Sequence, residues 1–206
     1  MPNRVTVNSR TPEAYIEPVF LQRWSPRAFR ALPIPAEVLK AIFEAARWAP
    51  SAYNEQPWLF AYATTIADRE KTLAILVPAN QVWAKHAPVL GLVACRKAFS
   101  VVEGANRTAA FDAGQACMAM QLQAIRYGIH VHMMSGFDVA KAHAIYGLDP
   151  KEYEIIAAFA MGVKGDADTL PEAYQKMEAP SERRPLKHTV KEGGFPAWPP
   201  PAEPQK

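Results

Sequence analysis

Two short polar stretches of the chain combine the side chains best suited to bind an anion or the edge of a heterocycle. The first reads Arg23-Trp24-Ser25-Pro26-Arg27. Pro26 favours an extended backbone at Ser25, and alternate side chains of an extended segment lie on the same face. Arg23, Ser25 and Arg27 are therefore predicted to converge on one ligand, whose phosphate oxygens the guanidinium groups would bind in pairs. Considered alone, arginines in a loop are more commonly a solvated patch.

The second stretch, residues 49–58, connects a predicted helix to a predicted strand. Ser51, Asn54 and Gln56 carry hydroxyl and amide groups that both donate and accept hydrogen bonds, which suits the edge of a heterocycle. The alternative is a polar connecting loop. The chain has neither the G-x-G-x-x-G pattern of dinucleotide folds nor the G-x-x-x-x-G-K-S/T phosphate loop. A bound phosphate would therefore be held by side chains.

Metal and nucleophile chemistry have less support in the sequence. His130 and His132 alternate on a predicted strand and so share a face, but no third residue has the spacing that a zinc site needs. We interpret both as buried or interface histidines and predict no metal site. Cys95 and Cys117 lie in apolar runs and are predicted to be buried, reduced thiols. No G-x-S-x-G pattern is present, so a hydrolase triad is not indicated.

The composition of the 206-residue chain predicts an ordinary globular protein of one domain, because 50% of the residues are hydrophobic and 21% are charged. A net charge of +3 gives no reason to expect nucleic-acid or membrane binding by bulk attraction. Residues 1–10 lack the apolar run of a signal peptide. The longest uncharged run, Ala113 to Ile125, is too short for a membrane helix, which needs about 20 apolar residues. These features predict a cytoplasmic protein.

The elements that must position the polar stretches follow from the hydrophobic periodicity. Helices are predicted from Pro35 to about Pro50, over Ile66–Leu76, over Asn106–Tyr127 and from Asp138 to Gly147. Strands are predicted over residues 58–64, Pro88–Cys95, Ile129–Met134 and Glu154–Val163. This order indicates an α+β (mixed α/β) fold. The uncharged middle of the long helix needs cover on most sides, either from the core or from another subunit.

The two ends of the chain give weaker signals. Residues 1–20 are interpreted as an arm or a first short helix. The last 42 residues, from Gly165, contain 8 of the 19 prolines and are therefore predicted to be mostly extended and irregular. Phe195 and Trp198 are large apolar side chains in this tail. The tail is either a frayed end or a segment that wraps another surface, such as a second subunit.

Taken in order, these motifs resemble the nitroreductase family. The R-x-S-x-R stretch is followed by a helix ending in A-A-R-W-A-P-S and by x-x-N-x-Q-P-W leading into a strand. Asp112 then begins an alanine-rich helix that ends at Gly128, and a short strand leads into Met134-Ser135-Gly136-Phe137-Asp138. The set is completed by Ala158–Gly162 and by Glu182-Arg183-Arg184-Pro185-Leu186, so the resemblance extends over about residues 21–190.

The resemblance implies a nitroreductase-like fold. Its features are a central, mainly antiparallel sheet flanked by helices, a long central helix at a subunit interface, and a C-terminal tail that wraps the partner subunit. It also implies a homodimer with FMN at the interface. The corresponding division of the chain is an N-terminal arm (1–20), an FMN-binding domain (21–164) and a Pro-rich extension of the same domain (165–206).

The resemblance also implies which residues contact FMN. Arg23, Ser25 and Arg27 match the first flavin-contacting segment, and Arg27 would stabilise the negative charge of the reduced ring. Ser51 and Asn54 match a segment that reaches FMN from the neighbouring subunit. The remaining matches are Asn80 as a further polar contact, Ser135 and Gly136 as the loop whose backbone N–H faces flavin N5, and Arg183 and Arg184 as the basic group near the phosphate.

The implied activity is that of an FMN-dependent oxidoreductase. Hydride would pass from NADH or NADPH through flavin N5 to a small oxidised acceptor, such as a nitroaromatic, quinone or enal, by a ping-pong mechanism. Because the flavin performs the chemistry, no side chain is predicted as a certain catalyst. A flavin storage or sensor protein with little turnover remains open, as does a divergent flavoenzyme (dehalogenase, azoline oxidase or flavin fragmentation). Tyr53, Trp83 and Phe99 are candidates for an aromatic wall around the substrate, although a core or interface position is favoured for each.

Overall fold

The computed structural model describes residues 7–198 of the chain. They form two compact units, one made of the segments up to Gln22 and from Pro180, and a larger one over Arg23–Ala179. The larger unit contains a four-stranded sheet of β1 (Trp58–Ala63), β2 (Val89–Arg96), β3 (Ile129–Met134) and β4 (Tyr153–Val163). The strand order is β1-β2-β4-β3, and every neighbouring pair is antiparallel. The predicted α+β fold with a mainly antiparallel sheet is therefore confirmed.

The continuous apolar run of β2 is explained by burial on both faces of the sheet. Every residue of this strand except Arg96 is buried. Leu90 and Leu92 belong to one core cluster, whereas Val89 and Val93 belong to a second cluster on the opposite face. Because side chains alternate along a strand, a sheet covered on both faces requires apolar residues at consecutive positions. The prediction of a strand buried on both faces is confirmed.

Seven α-helices lie in the described residues, and most of the predicted helices are present. They are α1 (Pro18–Gln22), α2 (Ala36–Arg47), α3 (Ile66–Leu73), α4 (Pro78–Ala84), α5 (Ala109–Arg126), α6 (Val139–Tyr146) and α7 (Glu172–Gln175). The predicted ends of α6 are confirmed. The Asp138 side chain accepts a hydrogen bond from the Lys141 N–H, and Gly147 adopts a left-handed conformation with φ 64°. Both groups satisfy backbone positions that a helix end leaves unpaired.

Some predicted helix boundaries were wrong, and one helix was missed. α3 ends at Leu73 rather than Leu76, and α4 was not predicted. Ile75 and Leu76 are buried, and Leu76 forms a β-bridge with Phe137. A tertiary contact therefore ends the helix, which local periodicity cannot show. α2 begins at Ala36, with Pro35 as the capping residue rather than the first helical residue.

The long helix α5 packs against the sheet through one face only. Its buried residues recur at intervals of three and four: Ala109, Asp112, Ala113, Ala116, Cys117, Met120 and Ala124. Phe111 lies off this stripe and is 71% exposed. The core therefore covers one side of the helix, and a subunit interface on the other side stays a prediction.

Gly91 occupies a position on β2 where no side chain fits. A Cβ atom built there would overlap the aromatic ring of Phe159 and the carbonyl oxygen of Ala61. We expect Gly91→Ala to lower the free energy of unfolding by about 1–3 kcal/mol, the usual cost of overpacking a core. The urea midpoint of the purified variant measures this effect. An unchanged midpoint would show that the Phe159 ring and the Ala61 backbone both move aside at no cost.

The smaller unit joins the N-terminal arm to the C-terminal segment. Arg10 is buried, and its guanidinium donates hydrogen bonds to the carbonyl oxygens of Ser181 (2.9 Å) and Leu21 (3.1 Å). The Glu13 carboxylate accepts a hydrogen bond from the Leu186 N–H at 2.9 Å.

In the described part of the tail, regular structure is limited to α7 and one-turn 3-10 helices at Ala167–Thr169 and Leu186–His188, close to the prediction.

Large apolar side chains of the tail are exposed to solvent. Phe195 is 97% exposed and Trp198 is 84% exposed, with the Arg184 guanidinium 5.0 Å from the centre of the Trp198 ring. Within residues 7–198, no helix has the length and apolar character required to cross a membrane.

Candidate functional site

The segment over residues 23–28 alternates in burial, as its sequence predicts, and its backbone bends at Arg27. Trp24, Pro26 and Ala28 are buried. The intervening Arg23, Ser25 and Arg27 are partly exposed, and the Arg23 guanidinium lies 3.4 Å from the Ser25 hydroxyl oxygen. The structure therefore brings Arg23 and Ser25 together and leaves all three predicted ligand-binding side chains partly exposed.

Hydrogen bonds to neighbouring elements hold this segment in place. Downstream of it, the Arg30 N–H donates to the Val163 carbonyl oxygen (2.9 Å), and the Gly165 N–H donates to the Ala28 carbonyl oxygen (2.8 Å). The Arg23 guanidinium also lies 3.3 Å from the side-chain oxygen of Gln121 on α5. Backbone hydrogen bonds therefore attach the segment that carries Arg23, Ser25 and Arg27 to the end of β4.

The loop that connects α2 to β1 is strained. Tyr53, Asn54 and Gln56 have positive φ angles of 54°, 54° and 51°. Each such residue costs on the order of 1–3 kcal/mol and is commonly found at functional sites. The Ser51 hydroxyl accepts a hydrogen bond from the Gln56 N–H at 2.9 Å, and the buried carboxylate of Asp112 accepts one from the Ala52 N–H at 3.1 Å. These contacts fix the loop that carries Ser51 and Asn54.

The structure brings Asn80 to the loop of Ser135 and Gly136. The Asn80 amide nitrogen donates to the Gly136 carbonyl oxygen (3.0 Å), which also accepts a hydrogen bond from the Val77 N–H (3.1 Å). A Cβ atom at Gly136 would lie 2.7 Å from the Asn80 amide nitrogen and 2.9 Å from a Val77 methyl carbon. Glycine is therefore favoured here by the close approach of the Asn80 and Val77 side chains. Asn80 supports the loop that the sequence assigned to the flavin.

Arg183 and Arg184 belong to the smaller unit and are both exposed. Together with Arg10 they line a cavity of about 770 Å³ within that unit. The pKa of Arg10 is lowered, first by burial and then by the positive charge of Arg183. Its guanidinium groups suit an anion, although Glu13 and Glu182 also line the cavity.

The aromatic candidates separate into core and surface residues. Trp83 is 1% exposed and belongs to the core, as favoured for it. Tyr53 is 71% exposed and meets Phe99 edge to face, with ring centres 5.5 Å apart. Only the Tyr53–Phe99 pair therefore stays a candidate for contact with a substrate.

The thiols are buried and unpaired, as predicted. Cys95 and Cys117 are free. Burial raises the pKa of Cys95 to about 11 and that of Cys117 to about 12. Neither thiol is therefore ionised enough near neutral pH to act as a nucleophile.

The two histidines of β3 contact the arginine segment. His130 meets the Trp24 ring edge to face, with centres 6.0 Å apart, and His132 Nδ1 lies 2.9 Å from the Pro26 carbonyl oxygen. In the described range, no group of three or more metal-binding side chains occurs. Burial is the largest cause that lowers the pKa of each ring below the ordinary value of 6.5, and Lys164 and Arg27 respectively add to it.

We expect the protein to become less stable as the pH falls below 6.5. The unfolded chain binds protons at these histidines near that pH, whereas the folded protein binds them only at lower pH. The stabilising contribution is complete above 6.5 and is lost between 6.5 and the lowered folded-state pKa. Urea midpoints at about pH 7.5 and about pH 5.5 measure the effect. His132→Asn should show a smaller difference between the two midpoints, and an equal difference would contradict this assignment.

Comparison with known proteins identifies the family. A sequence model described as "Nitroreductase family" matches residues 20–77 and 63–163. The chain belongs to the nitroreductase family. A Thermus thermophilus protein described as NADH dehydrogenase is 30% identical over 205 aligned positions, which cover 82% of this chain and 92% of that protein. A Rhodopseudomonas palustris protein described as NADH dehydrogenase/NAD(P)H nitroreductase is 25% identical over 88 residues, 43% of this chain and 45% of that protein.

A solved structure supports the same conclusion over nearly the whole chain. It is described as an oxidoreductase containing FMN and is 38% identical to this nitroreductase-family chain. The TM-score is 0.88, and the match covers 95% of this chain and 98% of the other. The nitroreductase-like fold inferred from the motifs is therefore confirmed.

Sequence reasoning missed several residues that support the site of this nitroreductase-family protein. Asp112 was read only as a helix start, Glu178 was not singled out, and His132 was interpreted as a buried or interface histidine. Each binds backbone groups of a predicted FMN-contacting segment. The chain separations are 60 residues for Asp112–Ala52 and 151 for Glu178–Arg27, so no local pattern could reveal them.

Proposed function

We propose that this protein is an FMN-dependent oxidoreductase that transfers hydride from NADH or NADPH to a small oxidised organic acceptor by a ping-pong mechanism. The observation that carries the proposal is the partial exposure of Arg23, Ser25 and Arg27, which alternate with buried residues on a segment whose backbone is fixed. Membership of the nitroreductase family and the similarity to an FMN-containing oxidoreductase support it. When bound, FMN would supply the redox chemistry.

The residues present fit a flavin mononucleotide. Arg23, Ser25 and Arg27 provide two cations and a hydroxyl, which suit the polar edge of the ring and its negative charge after reduction. Ser135 and Gly136 would present a backbone N–H from a loop whose position is fixed by Asn80. Arg183 and Arg184 would bind the phosphate, since guanidinium groups match its oxygens in pairs.

We also propose that the active protein is a homodimer in which Ser51 and Asn54 reach the FMN of the partner subunit. Two observations support it. Phe111 is exposed on the outer side of α5, and the tail carries the exposed Phe195 and Trp198, which we propose to contact the partner. Light scattering tests this model, and a monomer with full flavin occupancy would contradict it. The division into 1–20, 21–164 and 165–206 and the cytoplasmic location stay predictions.

The decisive experiment is to purify the protein under ample riboflavin supply and to identify the ligand that it releases. Anaerobic bleaching of the flavin by NADH or NADPH, followed by reoxidation with a nitroaromatic, a quinone or an enal, is the expected result. Protein that is colourless and does not bind added FMN would contradict the proposal. FMN that is bound but not reduced by either nucleotide would instead indicate a storage or sensor protein.

A further inference from the structure

A single peptide unit in the arginine segment is held at both ends by side chains from distant parts of the chain. The carbonyl oxygen of Pro26 lies 2.9 Å from His132 Nδ1. The N–H of Arg27, in the same peptide group, lies 2.9 Å from each carboxylate oxygen of Glu178. One of these oxygens also accepts the Ala28 N–H at 2.9 Å. The peptide plane between Pro26 and Arg27 is therefore fixed from two sides.

The orientation of this plane determines where the Arg27 side chain points. The ring of Pro26 already restricts its φ angle. The remaining freedom lies in ψ of Pro26 and φ of Arg27, and rotation about either bond turns the peptide plane. Hydrogen bonds to both its oxygen and its N–H remove that freedom. Arg27 then leaves the segment in one direction.

The imidazole of His132 is built to hold this contact. Its ring packs against the buried Trp83, with centres 4.5 Å apart, which fixes the ring plane. A carbonyl oxygen only accepts hydrogen bonds, so Nδ1 must carry the proton. β3 and the core thereby set the position of the Pro26 oxygen. Glu178 follows the last strand of the sheet in the sequence, and its carboxylate accepts the N–H of the same peptide group.

We propose that His132 and Glu178 are positioning residues for FMN binding, which act by fixing the Pro26–Arg27 peptide so that Arg27 is directed at the cofactor. This inference rests on the proposed function. The histidine and the glutamate both lie outside the predicted flavin-contacting segments. Neither residue type indicates this role in the sequence. Their effect on the cofactor passes through Arg27.

The test compares FMN dissociation constants, measured by flavin fluorescence, for matched pairs of variants. Asparagine places an amide nitrogen close to the position of His132 Nδ1, so His132→Asn should bind FMN as the wild type does. His132→Leu lacks a donor and should bind about tenfold more weakly. Glu178→Gln keeps an acceptor oxygen, whereas Glu178→Leu removes both. The glutamine variant should therefore bind more tightly than the leucine variant.

A double-mutant cycle separates positioning from general damage to the fold. If His132 acts through Arg27, adding His132→Leu to Arg27→Ala should weaken FMN binding no further. Full additivity of the two losses, or equal binding by His132→Asn and His132→Leu, would overturn the proposal. Should His132→Leu fail to fold, the two Glu178 variants give the same comparison. Wild-type protein that binds no FMN would instead refute the proposed function.

Discussion

Replacing Arg27 with alanine is expected to weaken FMN binding by about 10- to 100-fold, because a hydrogen bond to a charged group contributes about 1.5–3 kcal/mol. Arg27 lies on the partly exposed face of the segment, and its backbone N–H is held by Glu178 at 2.9 Å. The guanidinium is thus presented by a fixed main chain. The dissociation constant can be measured by the change in flavin fluorescence when FMN is added to the apoprotein.

Arg30→Ala is the matched control for this experiment. Arg30 lies three residues further along the chain and is exposed, and its backbone N–H bonds to Val163. Removal of its side chain alters the net charge by the same amount without altering the predicted binding face. Equal weakening by both variants would indicate bulk electrostatic attraction rather than a contact by Arg27. Arg27→Lys should recover only part of the affinity, because an ammonium group lacks the planar fork of donors.

The second large effect is expected at Gly136, where we predict that alanine slows flavin reduction by NADH or NADPH about 100-fold, since a displacement of about 1 Å near the reacting atoms can have that cost. The added Cβ would lie 2.7 Å from the Asn80 amide nitrogen and 2.9 Å from Val77. Both distances are shorter than nonbonded contacts allow, so either the loop shifts or the Asn80 side chain moves and gives up its hydrogen bond to the loop. Anaerobic stopped-flow absorbance measures the rate.

Gly194→Ala provides the control for this prediction. It makes the same chemical change at a glycine where a Cβ atom would meet nothing within 4 Å. Reduction at the wild-type rate in Gly136→Ala, with FMN bound, would show that the loop does not set the geometry of hydride transfer. The FMN content of both variants should be recorded, since loss of cofactor would lower the rate for a different reason.

Local sequence signals were sufficient to predict the secondary structure of the sheet and the alternating exposure of the arginine segment. Three signals are local: the apolar run of β2, the capping residue Asp138 and the left-handed Gly147. Each determines the secondary structure at its own position in the chain. The alternation of Arg23, Ser25 and Arg27 with buried residues follows from the extended backbone next to Pro26. The order of the motifs indicates the nitroreductase family without reference to any tertiary contact.

The contacts that support these motifs come from the packing of distant parts of the chain. The end of α3, the support of Gly136 by Asn80, and the two-sided hold on the Pro26–Arg27 peptide all depend on residues that are far apart in the chain. Pro26 and His132 are 106 positions apart in the chain, and neither local periodicity nor residue type predicts their contact. Hydrogen bonds between distant segments form only when the core brings those segments together, and a pattern read along the chain therefore does not contain them.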